Sequence, residues 1–349
     1  MQYKRNIIPE STLIKEAIEI LNALSGKDSH TLFVINPNGQ VIGSLSDGDI
    51  RRGMLANKTI TSAVTEVMQK SFRFLRNRKF TLDEIDELRK REITLVPMLD
   101  DTNRLIRIVD LSGERSALPL DAVIMAGGEG RRLLPLTRET PKPLLPVGGK
   151  PIIEYNLERL EKYGIKNVHI SVNYLGDKIE THLGNGSNKE LNINYCREDK
   201  PLGTLGSVSL VKEFENEVVL VMNSDLLTNI DYEDFYKDFL RKEADMAVAT
   251  IPYSVPIPYA VIETEEDRVI SLREKPTYTY YSNAGIYLIR KDLFRYLPGD
   301  TFYNATDLMD AVIRDGLKLT YYPLYCYWLD IGSPTDYEKA QHDCDHIKF

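Results

Sequence analysis

At 349 residues, the chain is long enough for two or three domains with a substantial core. Its 42% hydrophobic and 28% charged residues are typical of a globular protein. A net charge of −8 excludes broad attraction to nucleic acid or to an anionic membrane, so we expect neither partner. The three cysteines are scattered and no apolar run reaches membrane-spanning length, which together predict a cytoplasmic protein.

Residues 1–115 contain two similar halves. In the first, an amphipathic helix with an N-cap at Ser11 or Thr12 precedes a hairpin and a second helix. The second half repeats this order loosely. The apolar spacing predicts helices over 11–24 and 81–91 and strands over 31–35, 41–45, 95–99 and 105–109. Two copies of one plan predict an α+β module with internal pseudo-symmetry.

The motif Gly43-Ser-Leu-Ser46-Asp-Gly-Asp49 follows the first hairpin. With the repeated plan, it resembles the tandem CBS (Bateman) module. The resemblance implies that Ser46 and Asp49 contact the phosphate and ribose of a regulatory nucleotide. Alternatively, these residues only cap the next helix. The second half departs from the motif, with Arg107, Asp110 and Gly113 at the corresponding places, so we expect at most one ligand cleft.

Residues 116–120 combine polar and helix-breaking residues and are predicted to link the module to a domain over 121–349. From 121 to 222, apolar strands alternate with helices, including a predicted helix over 204–211. Such alternation predicts an α/β fold with a mostly parallel, doubly wound sheet. Ligands of these sheets bind beyond the C-terminal ends of the strands.

A glycine-rich segment, Ala126-Gly-Gly-Glu-Gly-Arg-Arg132, directly follows the first of these strands. Glycines at this place let backbone N–H groups approach an anion closely. Arg131, Arg132 and Lys142 add positive charge. The spacing matches neither the dinucleotide fingerprint nor the Walker A loop, because Leu133 and Arg131-Arg132 replace their required residues.

Together with Pro141-Lys-Pro-Leu, this segment resembles the signature of the sugar-1-phosphate nucleotidyltransferases, although Arg131 stands where that family usually has threonine. Further matches follow in the same order: Val172-Asn-Tyr-Leu175, Glu198 with Pro201-Leu-Gly-Thr-Leu-Gly206, Asn223-Ser-Asp225, Glu274-Lys-Pro276, Asn283-Ala-Gly285 and Trp328-Leu-Asp-Ile-Gly332. The resemblance implies a Rossmann-like core that binds a nucleoside triphosphate through Ala126, Gly127, Gly128, Gly130, Arg131, Gly203, Thr204 and Asn223.

Asp225 and Asp330 each follow a short apolar segment, and a pair of carboxylates with substrate phosphates is a typical Mg²⁺ site. The resemblance implies that both bind Mg²⁺ and that Arg132 and Lys142 hold the reacting phosphates. It also implies that the sugar phosphate is bound by Glu274, Lys275, Asn283 and Gly285.

A CBS pair ahead of such a domain is similar to bacterial guanylyltransferases that act on glucosamine 1-phosphate in legionaminic acid synthesis, and to mannose-1-phosphate guanylyltransferase-like proteins. We therefore expect GTP and glucosamine 1-phosphate as substrates. Mannose or heptose 1-phosphate, or UTP, CTP or dTTP, are the alternatives. A non-catalytic, nucleotide-sensing regulator is the alternative of another class. CBS pairs commonly associate, so we also expect a homo-oligomer.

Overall fold

The structure is a computed structural model that describes residues 4–24, 30–77, 79–347 and 349. The chain forms two compact units that divide between Leu118 and Pro119. Among the helices of the described residues, none has both the length and the apolar character needed to cross a bilayer.

The first unit is built from two three-stranded sheets with the same pairing plan. Its strands are β1 (Ile7–Pro9), β2 (Thr31–Ile35), β3 (Val41–Ser46), β4 (Leu75–Arg76), β5 (Leu95–Leu99) and β6 (Leu105–Asp110). Its α-helices are α1 (Ile14–Ala23), α2 (Asp47–Leu55) and α3 (Leu82–Lys90). In each sheet the middle strand, β2 or β5, pairs parallel with the strand before it and antiparallel with the strand after it. This α+β repeat agrees with the plan read from the sequence.

The start of α1 corrects the sequence prediction. Its N-cap is Leu13, rather than Ser11 or Thr12. The N–H of Thr12 donates to Pro9 O at 3.1 Å, so the chain is still turning at this residue. A side chain with capping ability therefore lies one residue too early to cap the helix.

The second unit contains the larger sheet. Its strands are β7 (Leu120–Met125), β8 (Pro146–Val147), β9 (Lys150–Pro151), β10 (Asn167–Val172), β11 (Asn192–Arg197), β12 (Val218–Asn223), β13 (Leu226–Thr228), β14 (Met246–Pro256), β15 (Val261–Glu265), β16 (Arg268–Arg273), β17 (Thr277–Arg290), β18 (Leu319–Pro323) and β19 (Trp328–Asp330). Its α-helices are α4 (Ile152–Lys162), α5 (Gly176–Leu183), α6 (Tyr232–Arg241), α7 (Ala305–Arg314) and α8 (Pro334–Cys344).

Seven of these strands form one sheet in the order β11-β10-β7-β12-β17-β14-β18. Only β17 runs antiparallel to its neighbours in this sheet. The predicted mixed, mostly parallel Rossmann-like sheet is thus confirmed. After β7 the chain adds strands first on one side and then, with β12, on the other. The crevice at this reversal is where ligands bind in doubly wound sheets.

The predicted helix over 204–211 is wrong, because only a 3₁₀-helix over Gly206–Leu210 forms there. The N–H groups of Leu205 and Gly206 both donate to Tyr303 O, each at 2.9 Å. These bonds to a distant loop hold the segment's first turn in place of an α-helical start.

Candidate active site

A cavity of about 450 Å³ lies at the C-terminal ends of β7 and β12. Its lining includes most of the nucleotide-binding residues predicted from the sequence. Its lining residues include Gly127, Gly128, Gly130, Arg131, Arg132, Lys142, Glu198, Gly203, Thr204, Asn223, Asp225, Phe302 and Gly332. Ala126 is buried beneath this loop, and its N–H donates to Ser171 O at 3.0 Å.

Gly130 lets the glycine loop pass close to Lys142. Its φ of 64° lies in the left-handed region. A Cβ at Gly130 would stand 3.0 Å from Thr137 Cγ2 and 3.1 Å from Lys142 Cβ. Any larger residue would therefore combine backbone strain with crowding against the lysine stem.

The two predicted metal ligands are brought together by a short antiparallel ribbon. Strand β13 pairs with β19, and Leu226 stands opposite Asp330. The N–H of Ile331 also donates to Asp225 O at 3.1 Å. Residues that are far apart in the sequence thus place two carboxylates side by side.

Lys142 is the nearest cation to this pair among the described residues. Its Nζ forms a hydrogen-bonded ion pair with Asp225 Oδ2 and lies 3.9 Å from Asp330 Oδ1. The remaining buried oxygens, Asp225 Oδ1 and Asp330 Oδ1, accept no hydrogen bond from the described residues. Burial, followed by the charge of Asp225, raises the pKa of Asp330 to about 6. Two crowded carboxylates with unused oxygens fit a divalent cation.

The two arginines of the loop have different surroundings. Arg132 lies against Gly332, where an added Cβ would be 3.2 Å from its Nη2. Arg131 is 80% exposed in its side chain and forms an ion pair with Glu129, which raises the pKa of Arg131. Arg132 is therefore the arginine better placed to meet a phosphate inside the cavity.

Gly203 and Thr204 line the other side of the cavity, next to the loop before α7. Thr204 Oγ1 accepts the N–H of Ala305 at 2.9 Å, and the N–H of Thr204 donates to Asn304 Oδ1 at 3.2 Å. The same loop adds Phe302, which lines the cavity and is 59% exposed as a residue. The sequence reasoning missed Phe302, since it belongs to no motif and lies about a hundred residues from Thr204.

Glu198 is a buried carboxylate in the cavity wall, 8% exposed. Burial raises the pKa of this carboxyl, and hydrogen bonds from the Leu202 N–H and the Ser171 side chain oppose the rise. The Leu202 bond is 3.1 Å long. The resemblance implies that Glu198 participates beside Gly203 and Thr204 at the base, and in the structure an added Cβ at Gly127 would lie 2.8 Å from Glu198 Oε1.

Of the residues predicted to bind sugar, Gly285 and Asn283 lie near the cavity. Gly285 has a φ of 70°, and a Cβ there would be only 2.5 Å from Asn223 Nδ2. The Oδ1 of Asn283 accepts the N–H of Gly285 at 2.8 Å, while its Nδ2 donates to the Tyr287 hydroxyl at 2.9 Å. This part of β17 therefore supports the amide of Asn223 at the cavity edge.

Glu274 and Lys275 do not line this cavity. They are exposed and occupy the turn between β16 and β17, where Lys275 has a φ of 43°. The structure thus brings together the nucleotide, metal and Asn283–Gly285 residues, and places Glu274 and Lys275 apart from them.

In the first unit, Ser46 and Asp49 bond mainly to each other. Ser46 Oγ accepts the Asp49 N–H at 3.3 Å and donates to Asp49 Oδ2 at 2.6 Å, and Ser46 is the N-cap of α2. Asp49 also pairs with Arg52 at 2.5 Å. This is the arrangement of the capping alternative.

Two family matches cover most of the chain. Residues 121–346 match the nucleotidyl transferase family, and residues 4–56 match the CBS domain family. The chain is 32% identical over 230 residues to mannose-1-phosphate guanylyltransferase of Mycobacterium tuberculosis, which covers 64% of each chain. It is also 32% identical to D-glycero-alpha-D-manno-heptose 1-phosphate guanylyltransferase of Aneurinibacillus thermoaerophilus, covering 65% of this chain and 99% of that relative.

Solved structures show the same relationship. The crystal structure of HddC from Yersinia pseudotuberculosis has a TM-score of 0.51 and 29% identity, and the match covers 64% of this chain and 99% of that chain. HddC complexed with GMP-PN also gives a TM-score of 0.51, at 27% identity. Because the family match extends over more than half of the chain and coincides with the cavity-bearing unit, this protein belongs to the nucleotidyl transferase family.

Proposed function

We propose that this protein transfers GMP from GTP to a sugar 1-phosphate, giving a nucleotide sugar and pyrophosphate. The observation that carries the proposal is the cavity in which the glycine loop, Arg132, Lys142 and Asp225 meet, with Asp330 Oδ1 3.9 Å from Lys142 Nζ. The two relatives described above are both named guanylyltransferases, of mannose 1-phosphate and heptose 1-phosphate.

In this reaction, an oxygen of the sugar phosphate attacks the α-phosphorus of GTP, and the bond to the pyrophosphate oxygen breaks. A phosphate monoester has a second pKa of about 6, so the nucleophile is already ionised at neutral pH. The protein must hold two anions in line and offset their repulsion. Arg132 would hold the β- and γ-phosphates, and Lys142 would hold the oxygens around the reacting phosphorus.

Asp225 and Asp330 would hold Mg²⁺. Members of this family typically use a divalent metal. The fit rests on the two buried oxygens without hydrogen bonds and on the crowding that raises the pKa of Asp330. Bound there, the ion would neutralise charge on the phosphates.

Glu198 supports guanine as the base. A carboxylate only accepts hydrogen bonds, and its two oxygens can accept from two adjacent donors. Guanine presents such a pair, N1–H and the N2 amino group, whereas uracil and thymine present one N–H between two carbonyl oxygens. Glu198 lines the same cavity as Gly203 and Thr204, which would pack on the base together with Phe302.

The sugar is proposed to be glucosamine 1-phosphate, used for a bacterial glycan or for legionaminic acid, with mannose and heptose 1-phosphates as alternatives. Asn283 and Gly285 would contact the sugar near Asn223. Glu274 and Lys275 remain proposed sugar-phosphate ligands, and they would have to approach the cavity from their exposed turn.

The test is a pyrophosphate-release assay with GTP, UTP, CTP, dTTP and ATP against glucosamine, mannose and heptose 1-phosphates. We expect turnover with GTP and an aminohexose 1-phosphate. Preference for another triphosphate would refute the guanylyl assignment. Tight nucleotide binding without turnover would support a nucleotide-sensing regulator instead.

The CBS module is proposed to form a homo-oligomer and to bind a regulatory nucleotide through Ser46 and Asp49. A ligand bound there would either break the hydrogen bond between Ser46 and Asp49 or form additional hydrogen bonds with these side chains. Titration of AMP, ATP, GMP and the nucleotide sugar against wild type and Asp49→Ala would test this role.

A further inference from the structure

Lys142 lies where a cation is needed between Asp225 and Asp330. Its Nζ pairs with Asp225 Oδ2 and lies 3.9 Å from Asp330 Oδ1. The side chains of Lys142 and Asp225 are only 13% and 15% exposed, so water screens this contact weakly. The carboxylates that would hold the metal are therefore the ones that the lysine now neutralises.

The backbone fixes the start of the Lys142 side chain, and the ammonium lies at the end of several rotatable bonds. Lys142 begins a 3₁₀-helix with the N-cap Pro141, and the following Pro143 is buried. Its Cβ lies 3.1 Å and its Cδ 3.5 Å from the place of a Gly130 Cβ, so the stem runs along the glycine loop. Rotation of the last bonds can move the ammonium from the carboxylates toward phosphates held by that loop.

We infer that Lys142 is the resident cation of the Asp225–Asp330 pair, and that a divalent metal and the lysine ammonium exchange for this one place. A metal ligated by both carboxylates would stand within a few ångströms of the ammonium, and two cations at that distance repel. The displaced ammonium needs new anionic partners, which a bound triphosphate supplies. Metal without nucleotide should thus bind weakly, and metal with nucleotide should bind well.

This inference rests on the proposed metal role of Asp225 and Asp330, and it is tested by binding rather than by turnover. Mn²⁺ is titrated calorimetrically into nucleotide-free wild type, Lys142→Met and Arg132→Met. Arg132→Met is the matched control, since it removes one positive charge from the same cavity without vacating a place at the carboxylates. We expect Mn²⁺ to bind Lys142→Met about tenfold or more tightly than wild type, and Arg132→Met to gain much less.

Thermal unfolding gives a second readout. In EDTA, Lys142→Met should unfold at a lower temperature than wild type, because Asp225 and Asp330 then repel without a cation between them. Mn²⁺ should restore this loss while changing wild type little. If Lys142→Met does not fold, Lys142→Gln, whose amide can still donate to Asp225, takes its place in both experiments.

Equal or weaker Mn²⁺ binding by the Lys142 variant would overturn the inference. So would equal gains in the Lys142 and Arg132 variants, because a general change in the cavity's field would then explain both. If wild type turns over GTP and either of these binding results is found, the inference about Lys142 is refuted while the proposed function stands. An absence of turnover with every triphosphate would refute the proposed function, whichever way Mn²⁺ binding falls.

Discussion

Substituting Gly285 by alanine should reduce turnover, because the added methyl group would displace the side-chain amide of Asn223 at the cavity edge. The new Cβ would lie 2.5 Å from Asn223 Nδ2, whereas ordinary contact begins at 3.4 Å, so the amide must move by 3.4 − 2.5 = 0.9 Å. A displacement of about 1 Å in a positioning group can reduce turnover by about 100-fold. The left-handed φ of 70° adds about 1–2 kcal/mol of backbone strain. We therefore expect a large loss of kcat/KM in pyrophosphate release and a lower unfolding temperature.

Gly149→Ala separates the collision from the strain. Gly149 has a φ of 80°, but an added Cβ there meets no atom within 4 Å. This variant should lose stability as Gly285→Ala does and keep nearly full turnover. Equal losses of turnover in the two variants, or full turnover in Gly285→Ala, would refute the reasoning from the displaced amide.

The remaining predictions concern three other residues, Asp225, Glu198 and Ser46. Asp225→Asn should keep the fold and lose turnover by orders of magnitude, because a neutral amide holds Mg²⁺ poorly; normal turnover at ordinary magnesium would make Asp225 structural. Glu198→Gln should raise the KM for GTP by ~10- to 100-fold relative to UTP, the value of one bidentate base contact; an unchanged ratio would remove Glu198 from base reading. Since burial raises the pKa of Glu198, the wild-type KM for GTP should also rise as the pH falls toward that pKa, at a higher pH than an exposed glutamate would cause. Ser46→Ala should lower stability by about 1 kcal/mol through loss of the α2 cap, and an unchanged unfolding temperature would contradict that role.

The sequence predicted features whose causes are local. The apolar runs before the glycine loop and before Asp225 can each be recognised within a few residues. The glycine loop and Asp225 both lie at the C-terminal ends of their strands, as expected. Contacts between distant segments could not be read in this way. The bonds from Leu205 and Gly206 to Tyr303 replaced a helix with a 3₁₀-turn, although the apolar spacing of that segment favours a helix.

The cavity itself shows the same limit. Phe302 reaches it from a loop without a motif, and only the folded chain reveals this contact. The ion pair of Lys142 with Asp225 joins two motifs that are 225 − 142 = 83 residues apart, and the sequence predicts phosphate binding for Lys142 and metal binding for Asp225. The separate roles of Lys142 and Asp225 could be predicted from local motifs. That the lysine ammonium occupies the place of a cation beside Asp225 depends on their distance in the folded chain.

The β13–β19 ribbon has a consequence for the synthesis of the protein. Asp330 follows Asp225 by 330 − 225 = 105 residues, so a ribosome that has released the glycine loop and Asp225 has still made only half of the carboxylate pair. Leu329 and Ile331 pack with Leu133 of the loop, and the hydroxyl of Tyr337 donates to Pro146 O at 2.6 Å. A nascent or prematurely terminated chain that stops before β19 therefore lacks both Asp330 and the apolar contacts of Leu329 and Ile331 with Leu133. Such a product should contain the first unit but only part of the candidate active site, so premature termination should give inactive protein rather than partly active protein.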